Sequence, residues 1–117
     1  MDVHRKGDFN DTSLDAVKDL LKGHDGIHYC PGFFPETAVG LKDERFCFVH
    51  IDVDIYDSVK AALHFFYDRM AVGGVMIFDD YEMPTCPGVK KAIGEFLEGK
   101  KEKLIVTTMF QCMIIRV

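Results

Sequence analysis

Apolar residues recur at helical spacing in three segments of the chain. In the first, TSLDAVKDLLKG at residues 12 to 23, a capping pattern of Thr12 and Asp15 precedes an apolar face, and Gly23 ends it. A second helix is predicted after an N-cap at Asp57 or Ser58 and continues to Met70, before Gly73-Gly74 forms a turn. A third helix is predicted to begin at Pro87-Gly88.

Short β-prone runs separate these helices and predict strands. They are IHYC (27 to 30), RFCFVHIDV (45 to 53), GVMIF (74 to 78) and two tightly joined strands in LIVTTMFQCMIIRV (104 to 117). Alternating strands and helices, with nearly continuous apolar strands, predict an α/β fold. Its sheet is expected to be mostly parallel, covered by helices on both faces, with an antiparallel pair of strands at the C-terminus.

Length and charge exclude several function classes. The 117 residues are expected to form one domain, 1 to 117. A formal net charge of −5 argues against a nucleic-acid partner, which would require a basic face. No apolar run is long enough to span a bilayer, and the N-terminus has no signal-like apolar region, so we expect no membrane or export role. The four cysteines show no CxxC spacing and indicate a reduced, cytoplasmic protein.

Four carboxylates lie at the carboxyl ends of two predicted strands. Asp52 and Asp54 lie at the end of the strand at 45 to 53, and Asp79 and Asp80 come directly after the strand at 74 to 78. Ligands of parallel α/β sheets bind at the carboxyl ends of strands, and clustered carboxylates require a shared proton, a basic partner or a cation. Mg²⁺ prefers such oxygen ligands. The alternative is that Asp80 only caps a loop and Asp54 only faces water.

Aromatic and histidine residues near these acids are weaker candidates. Tyr56 and Tyr81 each follow an acid pair and are candidates for binding an acceptor substrate, the alternative being simple packing with the hydroxyl pointing outward. The histidines show no zinc-binding spacing. His50 lies within a predicted strand and is expected to be a hydrogen-bonded core residue.

The segments VHIDVDIYDS (49 to 58) and FFYDRMAVGGVMIFDDYEMPTCPGVKKAIGEF (65 to 96) resemble the macrocin O-methyltransferase family. The segments GDFNDTSLDAVKDLL and PGFFPET are similar to it as well, so the resemblance spans residues 7 to 98. It implies a Rossmann-like class I methyltransferase that transfers a methyl group from S-adenosylmethionine to a hydroxyl of a sugar or similar small molecule.

The resemblance also implies roles for individual residues. By that resemblance Asp52, Asp79 and Asp80 would bind Mg²⁺. Independently of it, Asp52 or Asp54 is a candidate general base, because a carboxylate within hydrogen-bond reach of a metal-bound hydroxyl can take its proton. Gly32 and Phe33 would lie near the adenine of S-adenosylmethionine, although Phe33 is alternatively a core residue. The lysine that related catechol-type enzymes carry three residues after the first acid is replaced here by Ile55.

The sequence departs from that family in its methyl-donor site. It contains no GxGxxG turn and is expected to lack the first strands of the fold, so binding of S-adenosylmethionine by this chain alone is expected to be weak or absent. Two other functions remain open: a non-catalytic, truncated binding or assembly module, and a glycosyltransferase-like domain that uses Asp52-Val53-Asp54 as a metal-binding DxD. Absent strands would expose the edge of the strand at 45 to 53. Either strand 27 to 30 closes that edge, or two copies form a homodimer through it.

Overall fold

The computed structural model describes residues 11 to 117, which form one mixed sheet and three α-helices. A 3₁₀-helix, Glu36–Leu41, lies between the first helix and the first strand. The helices are α1 (Leu14–Leu20), α2 (Tyr56–Tyr67) and α3 (Pro87–Leu97), and the strands are β1 (Phe46–Ile51), β2 (Met70–Asp79), β3 (Ile105–Thr108) and β4 (Gln111–Ile115). Among these residues no helix combines the length and the apolar character needed to cross a bilayer.

The strands are arranged in the order β1-β2-β4-β3. Strand β1 pairs with β2 in parallel, and β4 pairs antiparallel with both β2 and β3. The connection from β1 to β2 runs through α2, which is the crossover that a parallel pair requires. The predicted α/β class and the antiparallel C-terminal pair are therefore confirmed, and the two-residue turn at Met109 and Phe110 is as tight as expected.

The main core lies between α2 and α3 and one face of the sheet. Val59 and Leu63 of α2 and Ile93 of α3 meet Phe78 of β2, and all four are fully buried. Helices on both faces were predicted, but in the described part of the chain only this face is covered. Phe48, on the opposite face of the sheet, is 56% exposed. Helix α1 has no buried residue, so it does not pack against this face.

The predicted strand at 27 to 30 is wrong. This segment forms no strand and pairs with no other described strand. Gly26 (φ 77°) and Gly32 (φ 131°) turn the chain sharply on either side of it. A four-residue β-prone run becomes a strand only where a neighbouring strand can pair with it, because β-propensity depends strongly on context. Closure of the β1 edge by this segment is therefore excluded.

Three predicted boundaries also need correction. Helix α2 starts at Tyr56 with Ile55 as its N-cap, because the Ile55 carbonyl already accepts the first helical hydrogen bond, from the Val59 N–H at 3.0 Å. Ser13 rather than Thr12 caps α1, and its side chain accepts a hydrogen bond from the Ala16 N–H at 3.2 Å. The helix predicted to continue to Met70 ends at Tyr67, and β2 begins at Met70, so Gly73, predicted as a turn, lies inside that strand.

The Gly73-Gly74 pair produces an irregularity in β2 instead of ending it. Gly73 has φ 81°, and the pairing with β1 jumps from Phe46↔Met70 to Phe48↔Val75 at this point. A Cβ on Gly74 would lie 2.8 Å from the Ala71 carbonyl oxygen, so the tight backbone approach requires glycine there.

Candidate functional site

The four predicted acids lie at the carboxyl ends of two neighbouring strands. Because β1 and β2 are parallel, their carboxyl ends lie side by side, and Asp52 and Asp54 follow β1 while Asp79 ends β2 and Asp80 follows it. The predicted placement of these acids at the strand ends is confirmed. The acids also affect one another electrostatically. Burial is the main cause that raises the pKa of Asp52, and the negative charges of Asp79 and Asp54 raise it further.

The side chains of Asp54 and Asp80 contact each other within this cluster. Both adopt left-handed backbone conformations, with φ 56° and φ 60°, which Asp tolerates better than most residues. Their side chains share a hydrogen bond, which requires a proton on one of the two carboxyl groups. Burial and this contact with Asp54 raise the pKa of Asp80 to about 6.

A cysteine that the sequence analysis did not single out joins this pair. The Sγ atom of Cys86, directly before α3, and one carboxylate oxygen each from Asp54 and Asp80 all lie within 4.8 Å of one another. Among the described residues, no comparably close group unites Asp52, Asp79 and Asp80. No local pattern points to Cys86, because it is close to Asp54 and Asp80 only in the folded chain.

Asp79 is held by a different set of neighbours. Its Oδ2 atom lies 2.7 Å from Nε2 of His50, and its Oδ1 accepts a hydrogen bond of 2.7 Å from Nε2 of Gln111. His50 was predicted to be a hydrogen-bonded core residue; the hydrogen bond is confirmed, but the core placement is wrong, because its side chain lies on the uncovered face of the sheet and is 45% exposed. The contacts of Asp79 with His50 and Gln111 follow from how β1, β2 and β4 pair, which the sequence alone does not show.

The two candidate tyrosines have different surroundings. The Tyr56 hydroxyl donates a hydrogen bond of 2.6 Å to Glu95 of α3, so it ties α2 to α3. Tyr81 is 8% exposed and belongs to the hydrophobic core, with its ring beneath the Lys90 ammonium group. Burial raises the pKa of Tyr81. Acceptor binding by either residue stays a prediction.

Gly32 and Phe33 lie in the connection that leads to β1. Gly32 has φ 131°, a backbone conformation that residues with a side chain rarely adopt, and a Cβ at this position would also lie 2.8 Å from Cγ2 of Thr37, so the turn favours glycine. Phe33 is 83% exposed, which excludes the alternative that it is a core residue. Contact of Gly32 or Phe33 with the adenine of a methyl donor stays a prediction.

Comparison with known proteins identifies the family. The model of the family described as Macrocin-O-methyltransferase (TylF) matches residues 7 to 112. The chain belongs to the macrocin O-methyltransferase family. The first of these matched residues, 7 to 10, lie outside the described part of the structure, together with the start of the segment GDFNDTSLDAVKDLL.

The chain is also similar to individual O-methyltransferases. The chain is 29% identical over 100 residues to demethyldecarbamoylnovobiocin O-methyltransferase of Streptomyces niveus, covering 82% of this chain and 37% of that enzyme. It is 32% identical over 102 residues to mycinamicin III 3''-O-methyltransferase of Micromonospora griseorubida, covering 82% and 39%.

The fold comparison agrees. The solved structure of the O-methyltransferase NovP superposes with a TM-score of 0.78 at 26% identity, covering 90% of this chain and 45% of NovP. The Rossmann-like methyltransferase fold predicted from the sequence is therefore confirmed for the matched region. The chain spans less than half the length of each of these three relatives.

Proposed function

We propose that this chain is a domain of a metal-assisted, S-adenosylmethionine-dependent O-methyltransferase that acts on a hydroxyl of a sugar or similar small molecule. The two enzymes named above are, by their names, O-methyltransferases that act on demethyldecarbamoylnovobiocin and on mycinamicin III. The observation that carries the proposal is the cluster of carboxylates at the carboxyl ends of β1 and β2, within a chain of this family. A cytoplasmic location is part of the same proposal.

The chemistry of the cluster fits a hard divalent cation. At neutral pH the neighbouring acids repel one another, and a proton shared by Asp54 and Asp80 only partly relieves that repulsion. Mg²⁺ would neutralise it and prefers carboxylate oxygens to sulfur, so the proposal gives Cys86 no role as its ligand. By resemblance, Asp52, Asp79 and Asp80 would bind the ion, and because these carboxylates do not all lie within 4.8 Å of one another in the structure, their side chains would have to move closer together on binding.

The protein's part in the reaction is mostly orientation and proton transfer. When bound, Mg²⁺ would lower the pKa of an acceptor hydroxyl and fix its position. As the acceptor oxygen forms its bond to the donor methyl carbon, the sulfur–carbon bond breaks and the hydroxyl proton needs an acceptor. Asp52 or Asp54 would take that proton.

The donor site leads to the first prediction. Because the sequence contains no GxGxxG turn, calorimetry on the 117-residue chain is expected to give a Kd for S-adenosylmethionine weaker than about 1 mM, near −4 kcal/mol. At donor concentrations above that value, transfer of a labelled methyl group to sugar hydroxyls should require Mg²⁺ and stop with a chelator. Low-micromolar donor binding would contradict the donor-site argument.

The same assay decides between catalysis and a non-catalytic binding or assembly module. That alternative stays open because the chain spans less than half the length of its relatives. Donor saturation without any metal-dependent transfer, across a panel of deoxysugar glycosides, would favour the module. The DxD glycosyltransferase alternative is not carried further, because the family match assigns this segment to methyltransferases.

The edge of β1 supports a homodimer as a further proposal. Strand β1 is outermost in the described sheet, and its sequence, FCFVHI, contains no Lys, Glu or Pro to discourage pairing with another strand. Two copies pairing along this edge would form one continuous sheet.

Sedimentation is expected to show a dimer of the wild type. Phe48→Lys should convert this dimer to a monomer, whereas Val72→Lys, a substitution at another exposed position, should leave the dimer intact. A wild-type monomer at high concentration would exclude the dimer.

A further inference from the structure

Three polar side chains form a hydrogen-bonded row across three neighbouring strands. His50 of β1 contacts one oxygen of Asp79 of β2, and Gln111 of β4 donates to the other, both at 2.7 Å. The members of the row are separated along the sequence by 29 and 32 residues, so only the folded sheet brings them together.

Strand register places all three on the same face of the sheet. His50 pairs with Ile77, and Asp79 is two residues further along β2, so its side chain points to the same face. In the antiparallel pair, Asp79 and Gln111 lie directly opposite each other. The carboxylate of Asp79 therefore lies between the side chains of His50 and Gln111, which come from the two strands on either side of β2.

The row fixes the orientation of the Asp79 carboxylate. Each oxygen of an ionised carboxylate can accept two hydrogen bonds or bind a cation through a lone pair, so an oxygen with one donor retains capacity for a metal. The Asp79 charge also contributes to the raised pKa of both Asp52 and Asp80, which shows that it is electrically part of the cluster.

We propose that His50 and Gln111 are positioning residues that hold Asp79 ready to bind the divalent cation. This inference rests on the metal site of the proposed function and adds two residues to it. The alternative is a purely structural pair. The exposure of the two side chains, 45% for His50 and 28% for Asp79, argues against that alternative, because exposed pairs contribute little to stability.

Hydrogen bonds from neighbouring residues to metal-binding side chains commonly change metal affinity by about 10- to 100-fold. His50→Phe keeps a ring but removes the donor, and His50→Gln supplies an amide N–H in place of the ring N–H. Gln111→Leu removes the second donor. His28→Phe, at an exposed position in the segment 27 to 30, is the control for a histidine on the surface.

The experiment measures Mn²⁺ affinity by calorimetry and the unfolding temperature without metal, on the full chain. We expect His50→Phe and Gln111→Leu each to weaken Mn²⁺ binding by about 10- to 100-fold. His50→Gln and His28→Phe should bind like the wild type, and none of the four should shift the metal-free unfolding temperature appreciably.

Two outcomes would overturn the inference in distinguishable ways. If the wild type binds Mn²⁺ and His50→Phe binds it equally well, or if His50→Gln is weakened as much as His50→Phe, the positioning role is wrong while the metal site stands. If the wild type does not bind Mn²⁺ at all, the metal site of the proposed function is wrong, and this inference fails with it.

Discussion

Asp80→Asn is expected to abolish detectable Mg²⁺ or Mn²⁺ binding, a loss of at least about 100-fold. The substitution removes a predicted ligand and the charge that makes the cluster attractive to a cation. Asn tolerates the left-handed backbone of this position, φ 60°, so the fold should persist. Calorimetry measures the loss, and Asp19→Asn, on exposed helix α1 away from the cluster, is the matched control.

The same variant should be more stable than the wild type in the absence of metal above pH 6. Burial and the contact with Asp54 raise the folded-state pKa of Asp80 to about 6, from an ordinary value of 3.8. Between these values the folded chain binds more protons than the unfolded chain, so the free energy of unfolding falls as the pH rises through this window.

Thermal unfolding with a chelator at pH 5 and pH 8 tests this sign. The wild type should lose stability between the two values through Asp80, and Asp80→Asn should show a smaller pH dependence. If Asp80→Asn is instead less stable than the wild type at pH 8, the carboxylate is not repelled by its neighbours, and the electrostatic case for a cation is lost.

Glu102→Ala is expected to destabilise the protein by about 2 to 3 kcal/mol, which is below the roughly 3 to 5 kcal/mol typical of a fully buried ion pair because its partner Arg116 is partly exposed. The Glu102 carboxylate is almost fully buried, and its Oε1 accepts hydrogen bonds from Arg116 Nη1 at 2.8 Å and from the Val117 N–H at 3.3 Å. It thereby attaches the end of β4 to the loop before β3. Truncation leaves a partly buried guanidinium group without its partner.

The charge of Glu102 gives this prediction a pH signature. Burial on its own raises the pKa of Glu102, but hydrogen bonds from Tyr67, Val117 and Arg116 outweigh it and lower the pKa to about 2. The stabilisation is therefore present above the ordinary value of 4.5 and is lost as the pH falls toward 2.

Urea denaturation at pH 7 measures the effect of Glu102→Ala, with Glu98→Ala at an exposed position near the end of α3 as the control. Glu102→Gln, which keeps the shape and loses the charge, should lie between the wild type and Glu102→Ala. A cost below about 0.5 kcal/mol, the range of ordinary surface substitutions, would show that the buried contact contributes nothing net.

Much of the fold was predictable because it is encoded locally. Helices α2 and α3 carry apolar residues at helical spacing, and the position of Asp52 and Asp79 at strand ends follows from the apolar runs before them. The segment 27 to 30 failed because a strand is defined by its partner. Gly73 was mistaken for a turn because an irregular strand and a turn place glycine in the same backbone conformation.

The contacts inside the candidate site could not be predicted in the same way. The pairing of Asp54 with Asp80 and that of His50 with Asp79 depend on strand register and on which face each side chain occupies. A shift of one residue would exchange the two faces, and local periodicity does not fix register between strands. The sequence therefore located the acids without showing which of them contact one another.

A crystal structure of the chain soaked in Mn²⁺, examined by anomalous scattering, tests the central claim most directly, namely that the carboxylates after β1 and β2 form a divalent cation site. We predict one strong anomalous peak at the carboxyl ends of these strands, bound by Asp80 and at least one of Asp52, Asp54 and Asp79. The expected metal–oxygen distances are about 2.0 to 2.2 Å. No peak at this edge under saturating Mn²⁺, or a peak only elsewhere on the surface, would contradict the account.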